Sequence, residues 1–395
     1  MNPWKGLKGL PRNIWLISAG TLINRAGSMV MPFLALYLTQ GLRVSTAKAG
    51  LIIASYGIGS LISAPFAGKL SDKIGPLKLM KYSLFLTGFI FLLYSFVRNY
   101  YLLFLVTVLL AVISESFRPA SMAFISDQTT TTQRKNAFAL YRLAINVGMS
   151  IGPVAGGFLS AINFSLLFYS NAAAALCAGM FFLFTRWQKS EPEDEDKKID
   201  SNYISTSSNT IVIKDYTLLY FLISFLPILT IFFQILSTIP LFIVNELGYA
   251  RSTFGLLLTV NTVLVILIEV PLNTAMSHWE DRKSLFLGCV LTAIGFGAMA
   301  FANDIFSLVI SITIWSFGEM IIFPSSSTYV SKIAVKGKTG EYMGYYQMTT
   351  ALSFLLAPAA GTWVLESFGS FNLWIWSFVF GMISAIMMLW IKRKK

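Results

Sequence analysis

A pattern of prolines and glycines occurs twice in this chain, about 205 positions apart, and it severely limits the folds available. The clearest copies are Pro153-Val154-Ala155-Gly156 and Pro358-Ala359-Ala360-Gly361. Other residues that match at similar offsets are Pro32 and Pro240, Pro65 and Pro271, Glu115 and Glu319, Pro119 and Pro324, and Tyr141 and Tyr346. The copies lie in long apolar segments, where proline kinks a helix. The pattern therefore predicts two related halves made of kinked membrane helices.

The composition also requires a membrane. Hydrophobic residues occupy 55% of the 395 positions and charged residues only 12%, whereas a soluble protein carries roughly 25% charged residues. The net charge of +12 does not indicate a nucleic-acid partner, because the basic residues lie in short loops between apolar segments. We therefore expect membrane lipid around the chain and no bound nucleic acid.

Twelve apolar segments are long enough to cross a bilayer, which takes about 20 residues. They are residues 14–39, 47–69, 79–97, 100–126, 136–162, 165–187, 216–245, 252–276, 283–302, 304–330, 340–366 and 371–391. The expected fold is an all-α integral membrane protein with twelve transmembrane helices in two six-helix pseudo-repeat halves. These halves are residues 1–187 and 215–395, and the polar stretch 188–214 is a cytoplasmic linker between them.

The basic residues predict the orientation in the membrane. Most of the 30 lysine and arginine residues lie on the side of the N-terminus, and the opposite loops hold Arg43, Lys48, Arg98 and Arg251. Because positive charge accumulates on the cytoplasmic side, both termini and the linker are expected in the cytoplasm.

The loop after the second apolar segment reads Gly68-Lys69-Leu70-Ser71-Asp72-Lys73-Ile74-Gly75-Pro76-Leu77-Lys78. It resembles the G-x-L-x-D-R/K-x-G-R-R/K signature of the major facilitator superfamily, a family of secondary transporters. The matching positions are Gly68, Asp72, Lys73 and Gly75, whereas Pro76 and Leu77 stand where basic residues are usual. The resemblance implies that this loop stabilises an outward-facing state, and Gly75 suits a tight turn.

A second motif lies in the fifth segment, Gly148-Met149-Ser150-Ile151-Gly152-Pro153-Val154-Ala155-Gly156-Gly157. It resembles the G-x-x-x-G-P-x-x-G-G antiporter motif of the same superfamily at every defined position. The defined positions are Gly148, Gly152, Pro153, Gly156 and Gly157. The resemblance implies an exporter of the twelve-helix drug/proton antiporter branch, in which this segment is a hinge or a seal between halves. Close packing of small residues alone also accounts for the glycine spacing.

Six charged residues lie inside the predicted membrane segments, where each costs about 2.5 kcal/mol or more unless it faces a polar cavity or a partner. They are Arg25, Glu115, Arg118, Arg142, Glu269 and Glu319. The superfamily resemblance directs Arg25, Glu115, Arg118 and Glu319 to the central cavity, and Arg142 joins them as a candidate substrate-cavity residue. Equal numbers of acidic and basic residues leave cationic, zwitterionic and anionic substrates open.

Glu319 is the first candidate for a proton carrier, because no opposite charge lies within a helical turn of it. A low-dielectric site favours the neutral form of a carboxyl group, which suits reversible protonation. Glu269 and Glu115 are further candidates. Glu115 lies three residues before Arg118, which could hold it ionised, and ion pairs that fix helix register are the alternative for Glu269 and Arg142.

Other chemistry is scarce in this sequence. His278 is the single histidine, and no phosphate-binding G-x-x-x-x-G-K-[ST] segment occurs. We expect no enzyme activity, no metal and no cofactor. The predicted function is proton-coupled export of small amphipathic molecules or drugs by alternating access, carried out by a monomer in a bacterial inner (plasma) membrane. The alternatives are a dedicated metabolite, siderophore or peptide transporter of the same fold, and a membrane receptor or scaffold that transports nothing.

Overall fold

The computed structural model describes residues 9–129, 131–188, 212–276, 279–335 and 339–391, and within these ranges the chain is helical with no β-strand. Most of the predicted linker 188–214 lies outside the described residues, and so does His278. The helices of the first part of the chain are α1 Arg12–Ala26, α2 Val30–Leu36, α3 Thr46–Ile74, α4 Pro76–Phe96, α5 Tyr100–Glu115, α6 Phe117–Asp127, α7 Thr131–Ile162 and α8 Ser165–Phe184. Those of the second part are α9 Tyr216–Phe232, α10 Thr238–Leu241, α11 Arg251–Ala275, α12 Asp281–Ala298, α13 Ile305–Ile333 and α14 Thr339–Leu389.

Nine helical stretches among the described residues are long and apolar enough to cross a membrane. The last of them contains a break at Gly369, where φ is 80°. Large apolar side chains such as Phe96, Phe184 and Phe301 are exposed, as expected for a surface that lipid covers. The prediction of an all-α membrane protein is confirmed.

Two predicted membrane segments are interrupted near their middle. The segment 14–39 is divided into α1 and α2 by Gly27–Met29, and the segment 100–126 is divided into α5 and α6 at Ser116. Pro119 has no N–H group, so the carbonyl of Glu115 loses its helical donor. Ser116 nevertheless keeps helical backbone angles (φ −67°, ψ −20°), so α5 and α6 form one continuous stretch, Tyr100–Asp127. Proline is tolerated in the first turn of the next helix, which is where α6 places it.

The described helices pack into two compact units. Of the described residues, the first unit comprises those within 1–189, 234–266 and 355–367, and the second comprises those within 190–233, 267–354 and 368–395. In the first unit, Ile14, Phe117 and Phe182 belong to a buried core of α1, α4, α6, α7 and α8. In the second unit, Phe221, Phe225, Phe296 and Trp315 are among the largest fully buried side chains.

One hydrogen bond occurs in both units at equivalent positions. The hydroxyl groups of Ser121 and Tyr141 lie 2.6 Å apart in the first unit, and those of Ser326 and Tyr346 lie 2.8 Å apart in the second. Each bond joins the fourth or tenth predicted segment to the segment that follows it. The two serines, like the two tyrosines, are 205 positions apart, which is the spacing of the repeated proline pattern.

Candidate functional site

Glu319 lies half-buried on α13, beside a small cavity inside the second unit. The cavity is lined by Ile228, Leu229, Phe232, Thr292, Glu319, Ile322 and Phe323. The rings of Phe232 and Phe323 pack edge to face with centroids 5.1 Å apart. The Thr292 hydroxyl is buried and has no hydrogen-bond partner among the described residues. The cavity lining thus contains one carboxyl group, that of Glu319, and one hydroxyl group, that of Thr292, among apolar side chains. Binding of a proton by the carboxylate changes the net charge of this lining.

Close packing of α12 and α13 places Glu319 beside Thr292. A Cβ atom at Gly318 would lie 2.2 Å from the Thr292 hydroxyl oxygen and 2.6 Å from its backbone nitrogen. A Cβ atom at Gly288 would lie 2.6 Å from a side-chain carbon of Ile322. Because real Cβ atoms do not approach backbone atoms so closely, glycine is required at position 318 for this arrangement.

We expect Gly318→Ala to lower the melting temperature of the purified protein, because overpacking costs roughly 1–3 kcal/mol. Gly344→Ala is the matched control: it also lies within a helix of the second unit, and nothing lies within 4 Å of the added Cβ. Alanine there is expected to be neutral or to stabilise by about 0.5–1 kcal/mol. Thermal unfolding in one detergent compares the two variants, and equal melting temperatures would contradict the packing argument.

Asn273 on α11 connects the neighbourhoods of two candidate proton carriers. Its side-chain amide donates to the backbone oxygen of Glu269, at 2.8 Å, and to that of Met320, at 2.9 Å. Pro324 cannot donate to Met320 in the usual helical bond, so Asn273 supplies the missing donor. The helical turn that carries Glu269 is thereby linked to the one that carries Glu319. Sequence reasoning missed Asn273, although Pro324 was the available signal.

In the first unit, Arg25 and Glu115 lie at the two helix interruptions. Arg25 is in the last turn of α1, and Glu115 is the final residue of α5. The Tyr56 hydroxyl donates to Glu115 Oε1 at 2.8 Å and lies 3.1 Å from the Ser114 hydroxyl oxygen. The structure thus joins the predicted site residue Glu115 to Tyr56, which no sequence motif had singled out.

The ion pair suggested for Glu115 and Arg118 is not formed in the structure. Ser116, between them, keeps helical backbone angles (φ −67°, ψ −20°), so the spacing itself does not prevent the pair. Arg118 is exposed, and Tyr56 is the partner of Glu115 instead. Arg142, on α7, is exposed as well.

The first predicted gating motif spans the end of α3 and the turn that follows. Gly68, Asp72 and Lys73 lie in the last turns of this helix, and Lys73 is exposed. Gly75 has φ of 89°, which permits the tight turn into α4. The Asp72 side chain lies outside the part of the chain that the structure describes, so its predicted role stays a prediction.

The glycines of the second predicted motif are contact points of α7. A Cβ at Gly148 would lie 2.6 Å from Arg25 Cβ, one at Gly152 would lie 2.8 Å from the Ser28 oxygen, and one at Gly156 would lie 3.1 Å from Met29 Cβ. One at Gly157 would lie 3.0 Å from the Arg251 oxygen. The Pro153 carbonyl oxygen is the heavy atom that a Cβ placed on Gly255 would meet most closely. The motif packs directly against the interruption between α1 and α2.

A sequence model of the Major Facilitator Superfamily matches residues 16–250 and 221–395. The chain belongs to the major facilitator superfamily. It is therefore a transporter and not an enzyme. The expected resemblance to drug/proton antiporters is confirmed as well: Multidrug resistance protein 1 of Bacillus subtilis is 27% identical over 329 residues, which cover 81% of each chain.

Two further relatives match nearly the whole of this superfamily member. The uncharacterised MFS-type transporter YqjV of Bacillus subtilis is 28% identical over 94% of this chain and 90% of its own length. A Na(+), Li(+), K(+)/H(+) antiporter of Planococcus maritimus is 22% identical, with coverage of 93% and 92%. Among solved structures, the nucleoside transporter NupG has the same fold, with a TM-score of 0.76, 13% identity, and coverage of 98% and 100%.

Proposed function

We propose that this superfamily member exports small amphipathic molecules, drugs among them, in exchange for protons. The observation that carries the proposal is Glu319, a carboxyl group on a membrane helix beside a cavity that is otherwise lined by apolar residues and one buried hydroxyl. Such a group changes between charged and neutral forms at moderate cost, which couples proton binding to conformation. The names of two relatives, a multidrug resistance protein and a cation/H(+) antiporter, support the same interpretation.

Twelve membrane helices in two related halves provide the framework of this proposal. The Ser–Tyr hydrogen bond repeated in both compact units supports the internal repeat. Further support comes from the break at Gly369, which separates two long helices within α14. We assign both termini and the linker to the cytoplasm from the distribution of basic residues, and we assign the protein to a bacterial plasma membrane.

In the proposed cycle, substrate enters from the cytoplasm or the inner leaflet, and the two halves then expose it to the outside. Proton binding at Glu319, with Glu269 and Glu115 as further sites, favours release of substrate and the return step. By linkage, a proton that weakens substrate binding must itself be bound more weakly when substrate is present. The glycines of the α7 motif seal the path between the alternating states.

Transport into inverted membrane vesicles tests the proposal. With an acidic lumen, vesicles that contain the protein are expected to accumulate fluorescent amphipathic compounds from a panel of cationic, neutral and zwitterionic dyes. A protonophore is expected to abolish the accumulation. Vesicles without the protein provide the background. Absence of proton-dependent accumulation for every dye, with folded protein present in the membrane, would reject proton-coupled export of such molecules.

A further inference from the structure

Asn273 is a polar side chain on the membrane helix α11, and both hydrogens of its amide group are engaged. Nδ2 donates to the backbone oxygen of Glu269 in its own helix, at 2.8 Å, and to that of Met320 on α13, at 2.9 Å. Both acceptors are carbonyl oxygens, which cannot donate, so the NH₂ end of the amide must face them. The orientation of this side chain is therefore fixed, and it joins the backbones of two helices.

The acceptor on α13 is available because of a proline. The helix continues through Pro324, which has no N–H group to donate to the Met320 carbonyl. A carbonyl without a donor is costly inside a membrane, and a side chain from a neighbouring helix is one means of satisfying it. Met320 is buried, so the donor has to come from the protein.

This link has no equivalent in the first half of the sequence repeat. The residue 205 positions before Asn273 is Gly68, which has no side chain with which to form it. The counterpart of Glu319 is Glu115, whose carboxylate accepts from the Tyr56 hydroxyl at 2.8 Å. Asn273 instead binds the backbone next to Glu319. It thereby fixes the position of this turn without itself bonding to the carboxyl group.

The other neighbour of this turn makes a less directional contact. Helix α12 packs so closely that a Cβ atom at Gly318 would lie 2.2 Å from the Thr292 hydroxyl oxygen. That hydroxyl nevertheless has no hydrogen-bond partner among the described residues. Packing sets the distance between two helices, whereas a hydrogen bond also restricts their sliding and rotation, because it weakens steeply when its geometry is lost. The bond from Asn273 therefore fixes the turn of Glu319 relative to α11.

We propose that Asn273 is a positioning residue for proton coupling, which transmits the state of Glu319 from α13 to α11. A change in the charge of Glu319 displaces its turn, and the bond to Met320 carries the displacement to the end of α11. Two sites are coupled when both bias one physically connected element. The inference rests on the proposed function in taking Glu319 as the residue that binds the coupling proton.

Transport by Asn273→Leu tests the role in coupling. Leucine has a similar size and no N–H group, so both bonds are lost. In inverted vesicles with an acidic lumen, we expect the accumulation ratio to fall about fivefold or more, while exchange down the gradient continues. Asn273→Gln retains an amide donor and is expected to lie between. Asn372→Leu is the matched control and should equal the wild type, because Asn372 is exposed and its amide donates to Phe368, four residues earlier in the same helical stretch.

Carbodiimide labelling of the purified protein tests the positioning without any need for transport. Dicyclohexylcarbodiimide is an apolar reagent that modifies carboxyl groups, and mass spectrometry of peptides measures its reaction at each glutamate. We expect Asn273→Leu to raise the labelling rate of Glu319 about fivefold, which corresponds to the loss of one hydrogen bond. The rate at Glu115, in the first unit, should stay that of the wild type. A rise at both residues would show general loosening and would overturn the proposal, as would an unchanged rate at Glu319.

A second substitution separates positioning from mere satisfaction of a carbonyl. Pro324→Ala supplies an N–H group that can donate to Met320 in the usual helical bond. When it is combined with Asn273→Leu, we expect the melting temperature to recover, but the accumulation to stay low and the labelling of Glu319 to stay faster than in Pro324→Ala alone. Recovery of the wild-type labelling rate would assign Asn273 a purely structural role. The labelling comparison does not require Pro324→Ala to transport.

The outcome is separate from that of the proposed function. Selective labelling of Glu319 in Asn273→Leu, in a protein whose wild type shows no proton-driven accumulation, would support the positioning of Glu319 and reject proton-coupled export. Proton-driven accumulation by the wild type that persists in Asn273→Leu would reject the role of Asn273 and leave the proposed export standing.

Discussion

Vesicles that contain the Glu319→Gln variant are expected to lose accumulation of substrate against its gradient, while they keep exchange of substrate down its gradient. Glutamine has nearly the shape of a protonated glutamate, so the cavity keeps its packing but no longer changes charge. The ratio of inside to outside concentration should then fall to about one, because coupling free energy requires a proton that binds differently in the two states. Radiolabelled substrate in acid-loaded inverted vesicles and in counterflow measures the two activities.

Two controls make this prediction specific. Glu341→Gln removes an exposed carboxylate on α14 and is expected to keep both activities. Glu319→Asp keeps a titratable group and is expected to retain part of the accumulation. If Glu319→Gln still concentrated substrate with the proton dependence of the wild type, Glu319 would not be the coupling residue, and the same assay on Glu269→Gln and Glu115→Gln would identify its replacement.

The helical architecture was predictable because a bilayer leaves few alternatives. Backbone groups in hydrocarbon must be bound within the chain, so apolar stretches of about 20 residues directly predict helices. The position of the interruptions was not predictable in the same way. Pro119 marks a disturbance, but a proline can kink a continuous helix or end it, and the neighbouring helices decide between the two.

The residues that contact the charged side chains in the membrane helices are determined by tertiary packing. Glu115 and Arg118 are close in sequence, yet Tyr56 from another helix binds Glu115. The sequence had predicted Glu319 inside a membrane helix, whereas its neighbour Thr292 and the glycine contact at Gly318 follow from how α12 packs on α13. Local spacing therefore identified which residues are unusual, and packing determined what each of them contacts.

A polar cluster within the first unit joins two turns that the sequence pattern relates. Tyr37–Gly41 and Phe242–Glu246 are both π-helical turns. The Gln40 side chain in the first donates to Asn245 in the second, 205 positions away. Each turn is followed by a residue with positive φ, Arg43 at 57° and Gly248 at 73°. The distribution of basic residues predicts that these turns lie on the outer side of the membrane. We therefore call Gln40, Asn245 and Arg251 the outer cluster.

Arg251 contributes most of the contacts of the outer cluster. Its Nε and Nη2 groups donate to Gln40 Oε1 at 2.9 and 2.6 Å, and Nη1 donates to the Ser160 carbonyl oxygen. The guanidinium carbon lies 4.1 Å from the centre of the Phe164 ring. A planar group with several donors makes these bonds together, which a lysine cannot reproduce.

Arg251→Ala is therefore expected to favour states in which the outer cluster is open. The substitution leaves the Gln40 and Ser160 oxygens without these donors, and losing hydrogen bonds to a charged group costs about 1.5–3 kcal/mol. A reporter cysteine at the buried Ser160, in a Cys177→Ser, Cys289→Ser background, should then react about tenfold or more faster with a membrane-impermeant maleimide added outside. Arg251→Lys should lie between, and Lys48→Ala, which removes an exposed charge on the same side, should match the wild type. Labelling at position 160 rises only if this side of the protein opens. An unchanged labelling rate in Arg251→Ala would therefore show that the outer cluster does not control access. An equal rise in the labelling rate of Lys48→Ala would assign the effect to surface charge.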